Sequence, residues 1–183
     1  KTLVGAFLNT KVLLLVMSGL TILFFLGLKD DLTVLSARKK FIGQIVAASL
    51  LIVFTNTRII GFSKILDIDV LPYWVSVGFT LFVYILIINA YNLIDGVDGL
   101  AGGIGVISAF CFGIVALLMK DFDMAMIAFS LIGALLAFLK YNFHPAKIFM
   151  GDTGSLLVGM ILSVLAINLI ESGLVMEGIN LPH

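Results

Sequence analysis

The sequence has little charge, little proline and almost no cysteine for its length. Of its 183 residues, 12% are charged, three are prolines and one is a cysteine, whereas 61% are hydrophobic. A soluble globular domain carries roughly 45–50% apolar and about 25% charged residues. A core of this size cannot hide so large an apolar excess, so the composition predicts an integral membrane protein with lipid around it.

The same scarcities exclude several kinds of site. Cys111 is the only cysteine, so it cannot form an intrachain disulfide, and it has no cysteine or histidine neighbour at zinc-ligand spacing. The 11 basic and 11 acidic residues give a net charge of zero, which does not indicate a nucleic-acid partner.

Six apolar segments predict an all-α, polytopic integral membrane protein, because segments of this length in lipid must satisfy their backbone hydrogen bonds internally. Near 58–72, apolar residues alternate with Asp67 and Asp69, which predicts a short extracytoplasmic strand or hairpin. No repeat or linker divides the chain, so we expect one membrane-embedded domain over 1–183, a fragment that lacks flanking spans. The six segments are approximately 12–28, 41–57, 74–94, 104–119, 124–139 and 153–170.

The basic residues of the predicted loops are distributed unevenly between the two sides of the membrane. One side carries six of them and the other carries three, so the positive-inside rule places the first side in the cytoplasm. The acidic motifs of the chain fall on that same side, and the topology predicts that they meet there. The carboxylates concerned are Asp30, Asp31, Asp95, Asp98 and Asp152.

Five carboxylates gathered at one face require a counter-charge. Like charges a few ångströms apart raise each other's pKa or bind a cation, and the reduced dielectric at a membrane interface strengthens this requirement. Oxygen ligands without cysteine or histidine suit Mg²⁺, with Mn²⁺ as an alternative, especially where phosphates share the coordination. Glycines in DGVDGLAGG and MGDTGS let the backbone approach an anion closely. The pattern predicts a site that holds a phosphate-bearing substrate through a metal.

Two local patterns sharpen this prediction. Asp152, Thr153 or Ser155 can cap the helix that opens the last span, which would direct the positive helix end toward a phosphate. If the third helix continues past residue 89, then Asn89, Asn92 and Asp95 follow at intervals of three and share a face. A lone aspartate at a span end is commonly only a solvated boundary, but three acidic–glycine motifs on one side favour a shared function.

Three stretches of the chain resemble motifs of the polyprenyl-phosphate sugar-1-phosphate transferases. They read GLKDDLTVLSARKKFIGQ, NAYNLIDGVDGLAGG and NFHPAKIFMGDTGSLLVG, and the resemblance runs from residue 11 to about 170. Members of this family are integral membrane enzymes that transfer a phospho-sugar from a UDP-sugar to a lipid phosphate. The resemblance implies a magnesium-dependent transferase of the bacterial inner membrane, with several transmembrane helices and an active site that faces the cytoplasm.

The wording of the motifs favours one branch of that family. NLIDG and PAKIFMGDTGS are closer to the branch that transfers N-acetylglucosamine-1-phosphate from UDP-N-acetylglucosamine to undecaprenyl phosphate, which starts a lipid-linked cell-envelope glycan such as lipopolysaccharide or teichoic acid. The branch that uses UDP-N-acetylmuramoyl-pentapeptide typically reads NLTDGLDGL, with a threonine where this chain has Ile94. We therefore expect the first activity, with release of UMP, and keep the muramoyl-pentapeptide transferase of peptidoglycan synthesis as the alternative.

The resemblance also implies roles for individual residues. Asp30 and Asp31 match an acidic pair placed near the lipid phosphate, and Asp30 is the preferred residue for activating it. Asp152 matches the direct magnesium ligand, and Lys40 matches a basic position that contacts phosphate. The other residues that it implies are Asp95 and Asp98 as catalytic residues, and Asn92, Gly151 and Thr153 as substrate-binding residues.

The chain also departs from the family, and other classes stay open. The family's histidine-rich cytoplasmic loop beyond the last motif is missing, and so is an N-terminal proline–glycine loop, so we expect the 183-residue piece alone to be inactive or very weak. A transporter or channel would place its acidic residues in mid-span. An aromatic prenyltransferase or CDP-alcohol phosphotransferase would carry acidic sets within helices. Glycine-rich helix faces also permit a homodimer.

Overall fold

The computed structural model describes residues 3–62 and 70–176 of the chain, and side chains within 13–62 and 70–173. The described residues form six α-helices and contain no strand, which confirms the predicted all-α class. Each predicted apolar segment corresponds to one helix. The helices are α1 (Leu3–Thr33), α2 (Ala37–Thr55), α3 (Tyr73–Ile94), α4 (Leu100–Leu118), α5 (Phe122–Asn142) and α6 (Gly151–Met176).

Five of these six helices are long and apolar enough to cross a membrane. The exception is α2, whose first turn carries Arg38, Lys39 and Lys40. The described residues thus contain six helices, in line with the expected number of about six, and five of them meet these criteria of length and composition. Large apolar side chains such as Phe25 and Phe110 are exposed on the outer faces of the bundle, as lipid-facing side chains would be.

The predicted strand or hairpin near 58–72 falls partly outside the described residues, because 63–69 are not described. The described flanks, 56–62 and 70–72, are not strand, although the backbone N–H of Leu71 donates to the carbonyl of Ile60 at 2.7 Å. Buried Arg58 anchors the first flank, since its guanidinium donates to Ser76 Oγ at 3.1 Å.

Helix α6 lies at the centre of the bundle, where it packs against α1, α3, α4 and α5. Two glycines allow neighbouring backbones to approach it closely. A Cβ atom on Gly27 of α1 would lie 2.6 Å from the Cα atom of Thr153, and one on Gly159 would lie 2.8 Å from the Cα atom of Ile88 in α3. Small residues at helix contacts are typical of membrane bundles. The Gly27 contact brings the end of α1 against the first turn of α6, where the acidic motifs meet.

Candidate functional site

Asp152, in the first turn of α6, is the centre of the polar cluster at this end of the bundle. Lys40, in the first turn of α2, forms an ion pair with its Oδ2 atom. The same ammonium lies 2.7 Å from Oδ2 of Asp30, near the end of α1. Burial alone would lower the pKa of Lys40, but its ion pairs with Asp152 and Asp30 raise it above its usual value. One lysine thus connects two carboxylates from different helices.

Asn92, near the end of α3, holds the other side of the same carboxylate. Its Nδ2 atom donates to Oδ1 of Asp152 at 2.7 Å and lies 2.6 Å from the hydroxyl oxygen of buried Ser155. Both oxygens of Asp152 therefore have partners, one from α2 and one from α3. The predicted sharing of a site by the second and third motifs is thus realised through a direct side-chain contact.

Asp31 binds the backbone at the beginning of α6. Its Oδ1 atom accepts a hydrogen bond from the N–H of Asp152 at 2.8 Å, and its Oδ2 atom accepts from the N–H and the hydroxyl of Thr153 at 3.0 and 2.5 Å. Gly151 begins the helix with φ at +64°, where a side chain would be strained and would meet the Asp31 carboxylate. The cap of α6 therefore comes from α1, and not from its own Asp152, Thr153 or Ser155 as the sequence suggested.

The two neighbouring aspartates of α1 consequently have different surroundings. Asp30 faces Lys40 and also accepts a hydrogen bond from the N–H of Leu35 at 2.5 Å, whereas Asp31 is occupied by the helix terminus. Adjacent helical residues point about 100° apart, which accounts for the separation. Asp30 remains beside the ammonium, and the preference for it over Asp31 as the phosphate-activating residue stays a prediction.

Asp95 follows the last residue of α3 and is partly buried next to the start of α6. Desolvation by burial raises the pKa of its carboxyl, and the negative charges of Asp152 and Asp31 add to the increase, while the backbone N–H groups of Gly151 and Met150 oppose it. The ionised form of this group is therefore less favourable than that of a solvated aspartate, and a nearby positive charge would stabilise it. Asp95 belongs to the same cluster as Asp152 although no lysine pairs with it in the described part of the chain.

Asp98 lies in a second group of contacts and not against Asp152. Its Oδ2 atom accepts from the N–H of Ala146 at 3.1 Å and lies 3.0 Å from Nδ1 of His144. The N–H of Ala146, followed by the contact with His144, lowers the pKa of Asp98. The neighbouring N–H of Gly99 donates to Asn142 Oδ1 at 2.9 Å. These contacts connect the NLIDGVDGL loop to the loop between α5 and α6.

The sequence prediction missed one buried pair below the site. Gln44 of α2 is fully buried and exchanges hydrogen bonds with Asn89 of α3, at 2.7 Å from Asn89 Nδ2 to Gln44 Oε1 and 3.3 Å in the reverse direction. Helix α3 does continue past residue 89, but Asn89 contacts α2, whereas Asn92 contacts α6. The spacing of Gln44 from Lys40, one helical turn, is the only sequence signal that could have suggested this pair.

The cluster has a large excess of negative charge. The cluster holds four carboxylates, those of Asp30, Asp31, Asp95 and Asp152, and one ammonium, that of Lys40, which contacts Asp30 and Asp152. In the described residues, no three carboxylate, imidazole or thiol side chains converge as a complete metal-binding group. Mg²⁺ commonly uses one or two protein carboxylates and completes its coordination with substrate phosphates and water. The all-oxygen donor set fits that mode, and the bridging Lys40 shows that a cation is accommodated between Asp30 and Asp152.

Comparison with known proteins finds a family whose sequence pattern matches this chain. The family described as "Glycosyl transferase family 4" matches residues 13–170, which is most of the chain and includes all three acidic motifs. The curated relatives include several proteins named phospho-N-acetylmuramoyl-pentapeptide-transferase.

One such relative, from Geobacillus kaustophilus (strain HTA426), is 38% identical over 174 residues, which cover 89% of this chain and 53% of the relative. Another, from Listeria monocytogenes serovar 1/2a, is 40% identical over 139 residues, covering 73% of this chain and 42% of the relative. A third, from Rubrobacter xylanophilus, is 42% identical over 145 residues, with 73% and 43% coverage. The chain thus spans about half, or somewhat less, of the length of these relatives.

Proposed function

This chain belongs to glycosyl transferase family 4. From that premise we propose that its protein transfers phospho-N-acetylmuramoyl-pentapeptide from UDP-N-acetylmuramoyl-pentapeptide to undecaprenyl phosphate. The observation that carries the proposal is the convergence on Asp152. Side chains from the ends of α1, α2 and α3 meet the first turn of α6 there, through Asp30, Lys40 and Asn92. These are residues from all three motifs of the family resemblance.

The choice of donor follows the relatives and not the motif wording. The proteins compared above are all named for the muramoyl-pentapeptide reaction, whereas the preference for N-acetylglucosamine depends chiefly on Ile94 in place of a threonine. A single side chain with intermediate exposure weighs less than similarity over 139 residues or more. The similarity therefore supports the alternative of the sequence analysis over its main expectation.

In the proposed reaction, an oxygen of the lipid phosphate attacks the sugar-linked phosphorus of the donor diphosphate. A new P–O bond forms to the lipid phosphate, the P–O–P bond to uridine monophosphate breaks, and UMP leaves with the electron pair. We assign to Asp30, which lies beside Lys40, the role of keeping the attacking phosphate deprotonated. The Lys40 ammonium offers a point charge to phosphate oxygens, and Asn92 orients the Asp152 carboxylate.

A divalent metal, Mg²⁺ or Mn²⁺, would be held by Asp152 with help from Asp95 or Asp30. When bound, such an ion neutralises the diphosphate charge as bonds change. Asp31 contributes by fixing the helix terminus that carries Asp152, and Thr153 and Gly151 belong to that terminus. We assign Asp98 to the loop that borders the site, where it contacts Ala146 and not the Asp152 cluster. The positive-inside bias supports a cytoplasmic position for this end of the bundle.

The test is a comparison of donors with the purified full-length protein in detergent, with Mg²⁺ and undecaprenyl phosphate. Radiolabelled UDP-N-acetylmuramoyl-pentapeptide is expected to give labelled lipid and stoichiometric UMP, and UDP-N-acetylglucosamine is expected to give neither. Labelled lipid from UDP-N-acetylglucosamine alone would overturn the choice of donor and restore the first expectation. If size-exclusion chromatography shows a folded protein and neither donor gives labelled lipid, the proposed reaction itself is overturned.

A further inference from the structure

Lys40 occupies the position on Asp152 that a metal ion would need. It pairs with Oδ2 of Asp152, while Oδ1 accepts a hydrogen bond from Asn92 at 2.7 Å. A divalent ion that binds Oδ2 comes within about 2.1 Å of that oxygen, so it would share the oxygen with an ammonium of the same sign. The two cations repel each other at this distance, and one has to leave.

The surrounding contacts indicate that Lys40, and not Asp152, is the group that can move away when a metal ion binds. Asp152 stays oriented without it, because Asn92 holds its Oδ1 atom and Asp31 accepts a hydrogen bond from its backbone N–H at 2.8 Å. Lys40 holds its position only through its flexible side chain, which is 20% exposed and carries a compact, rotatable charge. Its movement requires no change in the α2 or α6 backbone.

We propose that Lys40 is a displaceable counter-ion of Asp152, which balances the carboxylates of the metal-free protein and is released toward substrate phosphate when a divalent cation binds. The proposal rests on the proposed function, because it takes Asp152 as the metal ligand. It adds an order of binding events, metal ion before substrate phosphate at Lys40, that the transfer reaction alone does not require. Lys40 competes with the metal before substrate binds, and the same ammonium then becomes free for an anionic oxygen.

The first test measures metal affinity without turnover. Mn²⁺ is titrated into the full-length protein in detergent, and free Mn²⁺ is quantified by electron paramagnetic resonance for the wild type, Lys40→Gln and Lys39→Gln. Removing the competitor is expected to tighten Mn²⁺ binding about tenfold in Lys40→Gln. Lys39→Gln is the matched control, since Lys39 is exposed and its loss changes the net charge equally; its affinity is expected to change less than twofold. Unchanged or weaker binding in Lys40→Gln overturns the proposal.

The second test uses the wild type and so does not depend on the folding of a variant. An amine-reactive acylating reagent is applied with and without Mg²⁺, and modification of Lys40 is quantified by mass spectrometry relative to Lys39 as the internal reference. Release from Asp152 is expected to raise the Lys40-to-Lys39 ratio several-fold when Mg²⁺ is added. A ratio that stays constant or falls overturns the proposal.

The same Mn²⁺ titration distinguishes a failure of the displacement proposal from a failure of the proposed transferase function. Mn²⁺ binding that is lost in Asp152→Asn but is not tightened in Lys40→Gln overturns displacement and leaves the metal assignment standing. Mn²⁺ binding that is unaffected in Asp152→Asn overturns both, because Asp152 would then not be the ligand. Tightening in Lys40→Gln together with failure of every donor to react would support displacement and overturn the reaction.

Discussion

Asp31 caps the helix that carries Asp152, although the two residues are 121 positions apart in the chain. Its carboxylate accepts hydrogen bonds from two backbone N–H groups and from the hydroxyl of Thr153. A carboxylate at a helix N-terminus is stabilised by the unsatisfied N–H groups and by the helix dipole. The position of the proposed metal ligand therefore depends on contact between the first and last helices of the bundle.

This dependence predicts a difference between two conservative variants. Thr153→Val removes the hydroxyl that donates to Asp31, whereas Thr153→Ser keeps it. We expect the valine variant to lose about 1 kcal/mol of stability and to transfer more slowly, and the serine variant to resemble the wild type. Thermal unfolding in detergent and the transfer assay measure both effects. Equal behaviour of the two variants would show that the hydroxyl contact is unimportant.

The Gln44–Asn89 pair is expected to couple α2 to α3 energetically. Gln44→Leu and Asn89→Leu should each lower stability, because each removes the hydrogen bonds between the two helices, although Asn89 keeps its bond to the carbonyl of Ile85. The double variant should lose less unfolding free energy than the two single variants lose together. Interhelical hydrogen bonds in membranes have coupling energies of about 0.6 kcal/mol on average and about 1.7 kcal/mol at most, and we expect a difference in that range. A double-mutant cycle of unfolding free energies measures this coupling. Additive losses would mean that the pair does not hold the two helices together.

The Asp95 carboxylate is expected to contribute to transfer activity but to lower the stability of the fold. Its pKa is raised by burial and by Asp152 and Asp31, so the charged form destabilises the fold at any pH above that raised value, and the penalty disappears below the unfolded value near 3.9. Asp95→Asn is therefore expected to raise the melting temperature at pH 7.5 while reducing transfer. A lower melting temperature for the variant at that pH would contradict the assigned direction of the shift.

The contact between Asp98 and the loop before α6 predicts an acid-dependent effect on stability. The pKa of Asp98 is lowered by the N–H of Ala146 and by His144, so its stabilisation is complete above the unfolded value near 3.9 and is lost as pH falls through the lower folded value. The melting temperature of the wild type should fall more steeply below pH 4 than that of Asp98→Asn. Parallel curves for the two proteins would rule out this contribution.

The sequence allowed the fold class and the place of the site to be predicted, but not the contacts within the site. Long apolar runs require helices in lipid, and alternating helices bring every second loop to the same end. The direction of each aspartate depends on helix packing instead. Gly27 permits α1 to approach Thr153, and that approach decides that Asp31 caps α6 while Asp30 faces Lys40.

Other contacts of the site could not be predicted, because the sequence near each residue does not indicate its partner. Gln44 and Asn89 are 45 residues apart, and a single glutamine within an apolar run does not identify its partner. Asp95 and Asp98 look equivalent in NLIDGVDGL, yet the turn after α3 directs one toward Gly151 and the other toward Ala146. The donor preference inferred from Ile94 was weaker than similarity along the chain, because one position carries little information about a large substrate.

The measurement that tests the central claim most directly compares Asp152→Asn with Asp121→Asn in the full-length protein. Asp121 caps α5 by accepting from the N–H of Met124 at 3.1 Å, and asparagine caps helices equally well. We predict that formation of labelled lipid from UDP-N-acetylmuramoyl-pentapeptide falls at least about 100-fold in Asp152→Asn and stays near the wild-type rate in Asp121→Asn. Wild-type transfer by Asp152→Asn would contradict the assignment of Asp152 as the centre of the site.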